Sequence, residues 1–347
     1  MRWRPREPLA TPRPRTLTGV RRLTALLVAI VLSAGCADDA TSSRAPTTTA
    51  AVSTTTTTTV PEQDEYAVGR RTIEVVDPTR GTDADSKREL PAEPDRTLPV
   101  LLLYPAAGAV PAATEPVDDA PPAPGRFPLV VFSHGWTASG PVYQGRVKEW
   151  ARAGYIVAAP TYPLSSGRGG VLADYVNQPA DVSFVIDQLL ALPDDDPLAA
   201  HLDGERVAAA GHSLGAITTL GVSLNSCCAD DRLDAAVELS GIRLPFPDGA
   251  FDDLGLVPFL AVHGAADNIV PVKGSDSLFA EAPGPAAYLR LTEADHTDFL
   301  FGDGALLDQV VVAFLDRHLK DDDTGFDAIP EVVAASGQGT LEVKGGG

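Results

Sequence analysis

The sequence has few cysteines and comparatively few basic residues, and both shortages narrow the classes of protein that it can encode. Only 3 of its 347 residues are Cys, too few for a small domain held together by disulfides. Its 27 Lys and Arg stand against 47 Asp and Glu, for a formal net charge of −20. A surface with that excess of negative charge repels phosphate backbones, so we expect no nucleic-acid partner.

Long apolar runs are also scarce. The apolar run at residues 23–32 has about half of the roughly 20 residues that a membrane-spanning helix needs. It lies within a basic segment, because residues 1–35 hold seven Arg and one Glu. This arrangement predicts an export signal peptide over residues 1–35. The run is followed by Ser33-Ala34-Gly35-Cys36, which resembles the lipobox of bacterial lipoproteins, so we expect Cys36 to carry a lipid. Plain secretion after cleavage near Ala34 is the alternative.

Composition divides the rest of the chain into three parts. Residues 41–61 are almost entirely Thr, Ser, Ala and Pro, a composition that cannot bury apolar surface and predicts a disordered tether over residues 36–65. We expect a folded domain over residues 66–320 and a tail over 321–347, and we assign no function to the tail. The lipid and the tether together predict a domain outside the cytoplasm, anchored to the bacterial cell membrane.

Apolar runs of strand and helix type alternate through the predicted domain. Several strand-like runs are apolar on both faces, as in PLVVFS and YIVAAP, which is typical of parallel strands covered by helices. The pattern predicts one doubly wound α/β domain with a mostly antiparallel start. The predicted strands are residues 71–76, 98–104, 128–133, 155–159, 206–210, 235–239, 258–263 and 286–291. The predicted helices are residues 142–153, 179–192, 214–226, 275–281 and 305–319.

Two adjacent cysteines, Cys227 and Cys228, lie at the end of a predicted helix. Adjacent cysteines rarely pair, because the peptide between them must distort to bring the sulfurs together. We interpret them as structural, with a vicinal disulfide as one option, and assign no nucleophile here.

The strongest chemical signal is Gly211-His212-Ser213-Leu214-Gly215, which lies between a small-residue strand and a helix-compatible segment. This is the strand–turn–helix setting of a nucleophile elbow, in which two glycines permit a tight turn and the serine hydroxyl is lifted clear of the backbone. The alternative is a Gly-rich turn in which Ser213 caps a helix. The elbow makes Ser213 the candidate nucleophile.

A serine nucleophile needs a base and an acid, and both should follow predicted strands. Asp267 comes after the strand VPFLAVH, and His296 comes after AYLRL. The chain order Ser213, Asp267, His296 is that of α/β-hydrolases. Asp295 is a substitute acid, although a direct neighbour in sequence rarely has the geometry to orient an imidazole ring.

Catalysis by this triad also needs N–H donors for the oxyanion. The amide of Leu214, directly after the nucleophile, is the first candidate. The second is the amide of Trp136, because His134-Gly135-Trp136 after a predicted strand resembles the oxyanion loop of α/β-hydrolases. The Trp136 ring is a candidate wall for the substrate, with a buried structural position as the alternative.

The motifs FPLVVFSHGWTASG, VAAAGHSLGA, VHGAADNIVPV and EADHTDFL make residues 70–319 resemble the α/β-hydrolase superfamily. The similarity is to platelet-activating-factor acetylhydrolases, chlorophyllases, dienelactone hydrolases and cutinase-like polyester hydrolases. It implies an α/β-hydrolase fold with a mostly parallel eight-stranded sheet and helices on both faces. The sequence departs from the polyester hydrolases at Ala216, where they usually carry Gly, and at His212, where several carry Trp. With Trp136, His212 is a candidate substrate-binding residue.

The resemblance implies hydrolysis of carboxylic esters through an acyl-enzyme, with no metal or organic cofactor. Residues 240–256, where larger relatives insert a lid, are too few for a cap domain. We therefore expect an open cleft for small-molecule, lipid or polymer esters with short to medium acyl chains. An acyltransferase or peptidase with the same triad and a non-catalytic ligand-binding lipoprotein are the alternatives. The sequence predicts no particular oligomeric state.

Overall fold

A computed structural model describes residues 65–109 and 115–345 of the chain. The predicted signal peptide, Cys36 and the tether up to residue 64 lie outside these residues. None of the helices within them combines the length and the apolar character that crossing a membrane requires.

A ten-stranded sheet forms the centre of the described domain. Its order across the sheet is β10-β9-β8-β7-β6-β4-β5-β2-β1-β3. Strands β4 to β9 are parallel to their neighbours among themselves, whereas β2 pairs antiparallel with both β1 and β5, and β10 pairs antiparallel with β9. The bounds are β1 Ala67–Asp77, β2 Arg96–Ala106, β3 Val117–Asp118, β4 Phe127–Ser133, β5 Ile156–Pro160, β6 Leu202–His212, β7 Leu233–Leu239, β8 Phe259–Gly264, β9 Ala286–Leu291 and β10 Gly339–Lys344.

Helices follow most of the parallel strands. These helices pack on the two faces of the sheet through two apolar cores. One core joins the sheet to α1, α6 and α7, and the other joins its opposite face to α2, α3 and α4. The bounds are α1 Gln144–Arg152, α2 Gln178–Leu190, α3 Leu214–Leu224, α4 Lys273–Glu281, α5 Asp298–Phe301, α6 Ala305–Leu319 and α7 Thr324–Ser336. Short 3-10 helices cover Gly140–Tyr143, Leu172–Val176 and Ala199–His201.

The predicted α/β-hydrolase fold is confirmed, and all eight predicted strands are present with the antiparallel start. The predicted number of strands was wrong, since the sheet has ten. One additional strand, β3, is only two residues long and lies in the Pro- and Ala-rich loop. The other, β10, is an edge strand with alternating partial exposure, so its hydrophobic signal is weak.

The predicted domain boundary at residue 320 also needs correction. Helix α7 buries Phe326, Ile329 and Val333 in the same core as α6, and ends at Gly337 in the left-handed conformation, with φ of 66°. The chain then adds β10 to the sheet beside β9. The domain therefore includes most of the segment predicted to be a tail.

Candidate active site

The turn between β6 and α3 holds Ser213 in a strained conformation. Its φ and ψ are 56° and −114°, a region that residues with a side chain rarely adopt. A Cβ at Gly211 would lie 2.3 Å from the carbonyl oxygen of Gly215, and one at Gly215 would lie 2.0 Å from that of Ser133. Both positions must therefore be glycine for α3 to start this close to β4.

Three predicted side chains meet at the carboxyl edge of the sheet. The Nε2 atom of His296 lies 2.9 Å from Oγ of Ser213, and its Nδ1 atom lies 2.6 Å from Oδ2 of Asp267. These distances are within hydrogen-bonding range. Asp295, the alternative acid, instead accepts the amide N–H groups of Thr297 and Asp298. The contact of His296 is with Asp267.

Asp267 accepts four hydrogen bonds. Its Oδ1 accepts the amides of Ile269 and Val270 at 2.8 and 2.9 Å, and its Oδ2 accepts bonds from His296 at 2.6 Å and from His263 at 3.1 Å. Burial alone would raise the pKa of Asp267, but the bonds from the two histidines and the two amides lower it far below its ordinary value. An ionised carboxylate at this place accepts the N–H of the facing Nδ1 atom and leaves Nε2 of the same ring facing Ser213.

The predicted oxyanion donors lie on two neighbouring turns. A Cβ at Gly135 would come within 3.4 Å of Cβ of Ser213, so the loop after β4 runs beside the nucleophile candidate. The amide N–H of Thr137, the next residue after Trp136, donates to Ser165. Within residues 65–109 and 115–345, the N–H groups of Trp136 and Leu214 have no acceptor. Neither amide is therefore taken up by a backbone carbonyl of the described residues.

The Trp136 side chain is 47% exposed, and its indole N–H donates to the carbonyl of Gly170 at 2.7 Å. The ring is thus fixed at its polar edge by the segment after β5, while much of its surface remains accessible. This position contradicts the alternative of a buried structural ring.

The predicted substrate contact through His212 is wrong. Its ring is 3% exposed and both nitrogens have partners within the protein. Nε2 donates to the backbone carbonyl of His296 at 2.9 Å, and Nδ1 accepts from the hydroxyl of Tyr143 at 2.8 Å. That hydroxyl in turn accepts the N–H of Gly135 at 3.1 Å. Burial lowers the pKa of His212 to about 3, so the ring is neutral and links the Gly135 loop to the His296 loop.

An apolar cluster adjoins the start of α3. Leu214, Ile217 and Phe246 are buried together, with Tyr175 and Phe251 packed against them. Phe246 and Phe251 belong to residues 240–258, which join β7 to β8 without a helix or strand. Cys228, which is disulfide-bonded to Cys227, packs on the same cluster. The apolar side chains lie next to Leu214 and thus beside the candidate nucleophile.

Sequence reasoning missed four side chains that surround the site, namely Tyr143, Glu238, His263 and Ser275. Only His263 had a local signal, because it lies at the end of β8, four residues before Asp267. Tyr143 is 69 residues from its partner His212, a distance that no local motif covers. In the described part of the chain, no group of three or more His, Cys, Asp or Glu side chains is arranged to hold a metal ion.

Comparisons with known proteins agree with the fold. A sequence model of the family described as Chlorophyllase matches residues 108–242, and one described as PET hydrolase-like matches residues 176–332. No curated protein matches the chain. A solved structure of a ferulic acid esterase from Streptomyces cinnamoneus is similar at 22% identity and a TM-score of 0.59, covering 76% of this chain and 93% of that one. Together these matches support an α/β-hydrolase of the esterase type.

Proposed function

We propose that the protein hydrolyses carboxylic esters through a serine acyl-enzyme. The observation that carries the proposal is the continuous hydrogen-bond chain from Ser213 through His296 to Asp267, with separations of 2.9 and 2.6 Å. It is supported by the strained turn that presents Ser213 at the start of α3.

In the proposed mechanism, Ser213 attacks the ester carbonyl carbon while His296 accepts its proton. Asp267 stabilises the resulting imidazolium and holds the ring in place. The amides of Trp136 and Leu214 donate to the oxyanion, and one such donor is worth about 2.7–4 kcal/mol of transition-state stabilisation. His296 then protonates the leaving alcohol. A water molecule activated by the same histidine releases the acid and restores the hydroxyl of Ser213.

The proposed substrates are esters with short to medium acyl chains, of small molecules, lipids or polymers. Two observations support this class: the connection from β7 to β8 lacks a helix, and an apolar cluster lies beside Leu214. We expect p-nitrophenyl acetate and butyrate to be hydrolysed much faster than the palmitate. A strong preference for the palmitate would contradict the proposed chain length.

A fluorophosphonate probe tests the nucleophile directly. We expect the wild-type protein to be labelled and Ser213→Ala to be unlabelled and inactive on esters. Ser223→Ala is the matched control, because it removes a buried serine of the same helix and should leave labelling intact. An unlabelled wild-type protein would favour the ligand-binding alternative. Transfer of the acyl group to added alcohols or amines in preference to water would favour an acyltransferase.

We also propose that the enzyme acts outside the cytoplasm, tethered by a lipid on Cys36. The support is the sequence pattern of residues 1–65. In a bacterial host, the wild-type protein should sediment with membranes and Cys36→Ala should not. Equal release of both proteins into the medium would favour plain secretion.

A further inference from the structure

A row of buried polar side chains continues from Asp267 away from Ser213. His263 follows at 3.1 Å from Asp267, Ser275 at 2.7 Å from His263, and Glu238 at 3.0 Å from Ser275. The side chains of His263 and Asp267 are completely buried, as are Ser275 and Glu238. A polar network this deep in a protein is favourable only if every donor has an acceptor.

The hydrogen bonds along the row leave two possible states for the histidine, a neutral ring beside a protonated Glu238 or a charged ring beside an ionised one. Nε2 of His263 faces only acceptors, namely Oδ2 of Asp267 and the carbonyl of Val270, so it carries a proton. The hydroxyl of Ser275 has one proton, and it faces both carboxylate oxygens of Glu238 at 3.0 and 3.2 Å. If that proton is donated to Glu238, Nδ1 of His263 must donate to Ser275, and the ring then has two N–H groups.

The distances favour this arrangement over a protonated Glu238. The bond from His263 to Ser275 is short, at 2.7 Å, as is typical when the donor is charged. Ser275 lies at similar, longer distances from both oxygens of Glu238, whereas a carboxylic acid would donate one short bond from one oxygen. Glu238 also accepts the amide N–H of Gly241. A cationic ring here lies between two carboxylates.

We propose that His263 is a buried imidazolium whose two N–H groups connect Asp267 to Glu238 through Ser275. The inference rests on the proposed function for its role, which is that of a positioning residue. His263 fixes the oxygen of Asp267 that also accepts the bond from His296. It places a positive charge beside Asp267, and this charge opposes protonation of the base.

Burial raises the pKa of Glu238, and the charge of His263 and the hydrogen bonds from Gly241 and Ser275 oppose that rise. Burial lowers the pKa of His263, but the hydrogen bond to Asp267 and the charge of Glu238 outweigh it and raise that pKa above 6.5. His212 on β6 is neutral because burial lowers its pKa, and the charge of His263 lowers it further. Tyr288 on β9 is close enough to Glu238 for that charge to raise its pKa, but its hydroxyl donates a hydrogen bond to Asp276. Glu238 and Asp267 are thus the carboxylates that face the ring.

Nuclear magnetic resonance of nitrogen-15-labelled histidine tests the charge without reference to activity. At about pH 8, a free imidazole is neutral, whereas we expect the ring of His263 to show two protonated nitrogens. Loss of the signal in His263→Gln assigns it. In Glu238→Gln the amide can accept from Gly241 and donate to Ser275, so the ring should become neutral while the row stays satisfied. A neutral ring in the wild type, or a charged ring in Glu238→Gln, would overturn the proposal.

The pH dependence of kcat/KM tests the positioning role. Without the positive charge the base holds its proton more tightly, so the acidic limb of Glu238→Gln should lie about one pH unit higher than that of the wild type. Its kcat should fall about tenfold with KM within about twofold, the size expected for loss of a charge-assisted hydrogen bond.

Asp308→Asn is the matched control, because this partly buried carboxyl of α6 pairs with Arg146 outside the row. It should leave the acidic limb in place. If His263 is charged in the wild type but the acidic limb of kcat/KM does not move in Glu238→Gln, His263 has no positioning role. If the protein hydrolyses no ester, the resonance experiment still decides the state of the ring, so the two failures are distinguishable.

Discussion

At the scale of single residues, the hydroxyl of Tyr143 joins the two loops that a serine hydrolase must hold in register. It accepts the N–H of Gly135 and donates to His212, whose other nitrogen holds the backbone carbonyl of His296. Burial raises the pKa of Tyr143 to about 12, so the hydroxyl keeps its proton and its direction of donation over the working pH range. The loops of Gly135 and His296, proposed to supply an oxyanion donor and the base, are therefore connected by two side chains.

Tyr143→Phe should lower kcat about tenfold, because small displacements of both loops misalign the donors and the base. KM should change less than about twofold, and unfolding in urea should require about 1–3 kcal/mol less free energy, since the N–H of Gly135 and Nδ1 of His212 both lose a partner. Tyr104→Phe is the control, because it removes a hydroxyl that bonds to Ala120 away from the site. An unchanged kcat in Tyr143→Phe would contradict the connection.

The sequence was sufficient to nominate Ser213, Asp267 and His296, because each follows a strand and their order is set by the topology of the sheet. It was insufficient for Glu238, which is 37 residues from Ser275, and for the burial of His212. These partnerships arise only when separate elements pack, and a polar residue inside a strand carries no local signal of what it will face. The substrate-binding prediction for His212 failed for the same reason.

At the scale of elements, the junction of β6 and α3 controls the geometry of the site. Helix α3 is buried along its whole length, and its first turn lies against the end of β4 at Gly215. The predicted and observed bounds of α3 agree closely at the amino end, because the elbow glycines mark it. The edge strand β10 escaped prediction because half-exposed, Gly-flanked residues resemble a loop in sequence.

Gly215→Ala should lower kcat/KM by at least about a hundredfold, because the new methyl group would overlap the carbonyl of Ser133 and push the start of α3 away from β4. Gly145→Ala is the matched control, since a Cβ at that position of α1 meets nothing within 4 Å. It should stabilise the protein by about 0.5–1 kcal/mol and leave activity unchanged. Similar values of kcat/KM for the two variants would show that activity does not depend on the close approach of α3 to β4 at Gly215.

At the scale of the whole molecule, three buried or partly buried histidines make stability depend on pH. Burial lowers the pKa values of His134, His212 and His318 to about 4, 3 and 4. His134 accepts the amide N–H of Tyr162 on Nε2, a bond that a second ring proton would abolish. Burial raises the pKa of Asp308 to about 7 and also raises the pKa values of Asp181 and Glu238, which opposes the effect of the histidines.

Within the window from pH 6.5 to 4, unfolding therefore takes up at most three protons at the histidines and releases one from Asp308. Each proton taken up on unfolding lowers the free energy of unfolding by about 1.4 kcal/mol per pH unit of acidification. We therefore expect this free energy to fall through the window by about 1–3 kcal/mol per pH unit. Urea unfolding at several pH values measures the slope. In His318→Gln this slope should fall by no more than the contribution of one proton, and kcat should not change. A free energy of unfolding that stays constant across the window would refute the assignment.

The connection from β7 to β8 offers a route to engineering selectivity. Because Phe246 and Phe251 are supplied by a segment without regular hydrogen-bonded structure, this segment can be diversified without altering the ladder of the sheet. The groups proposed to break the ester bond come from other turns, after β4, β6, β8 and β9. Libraries confined to residues 242–253 should consequently yield variants that differ in the acyl groups they accept while their shared chemical machinery is retained.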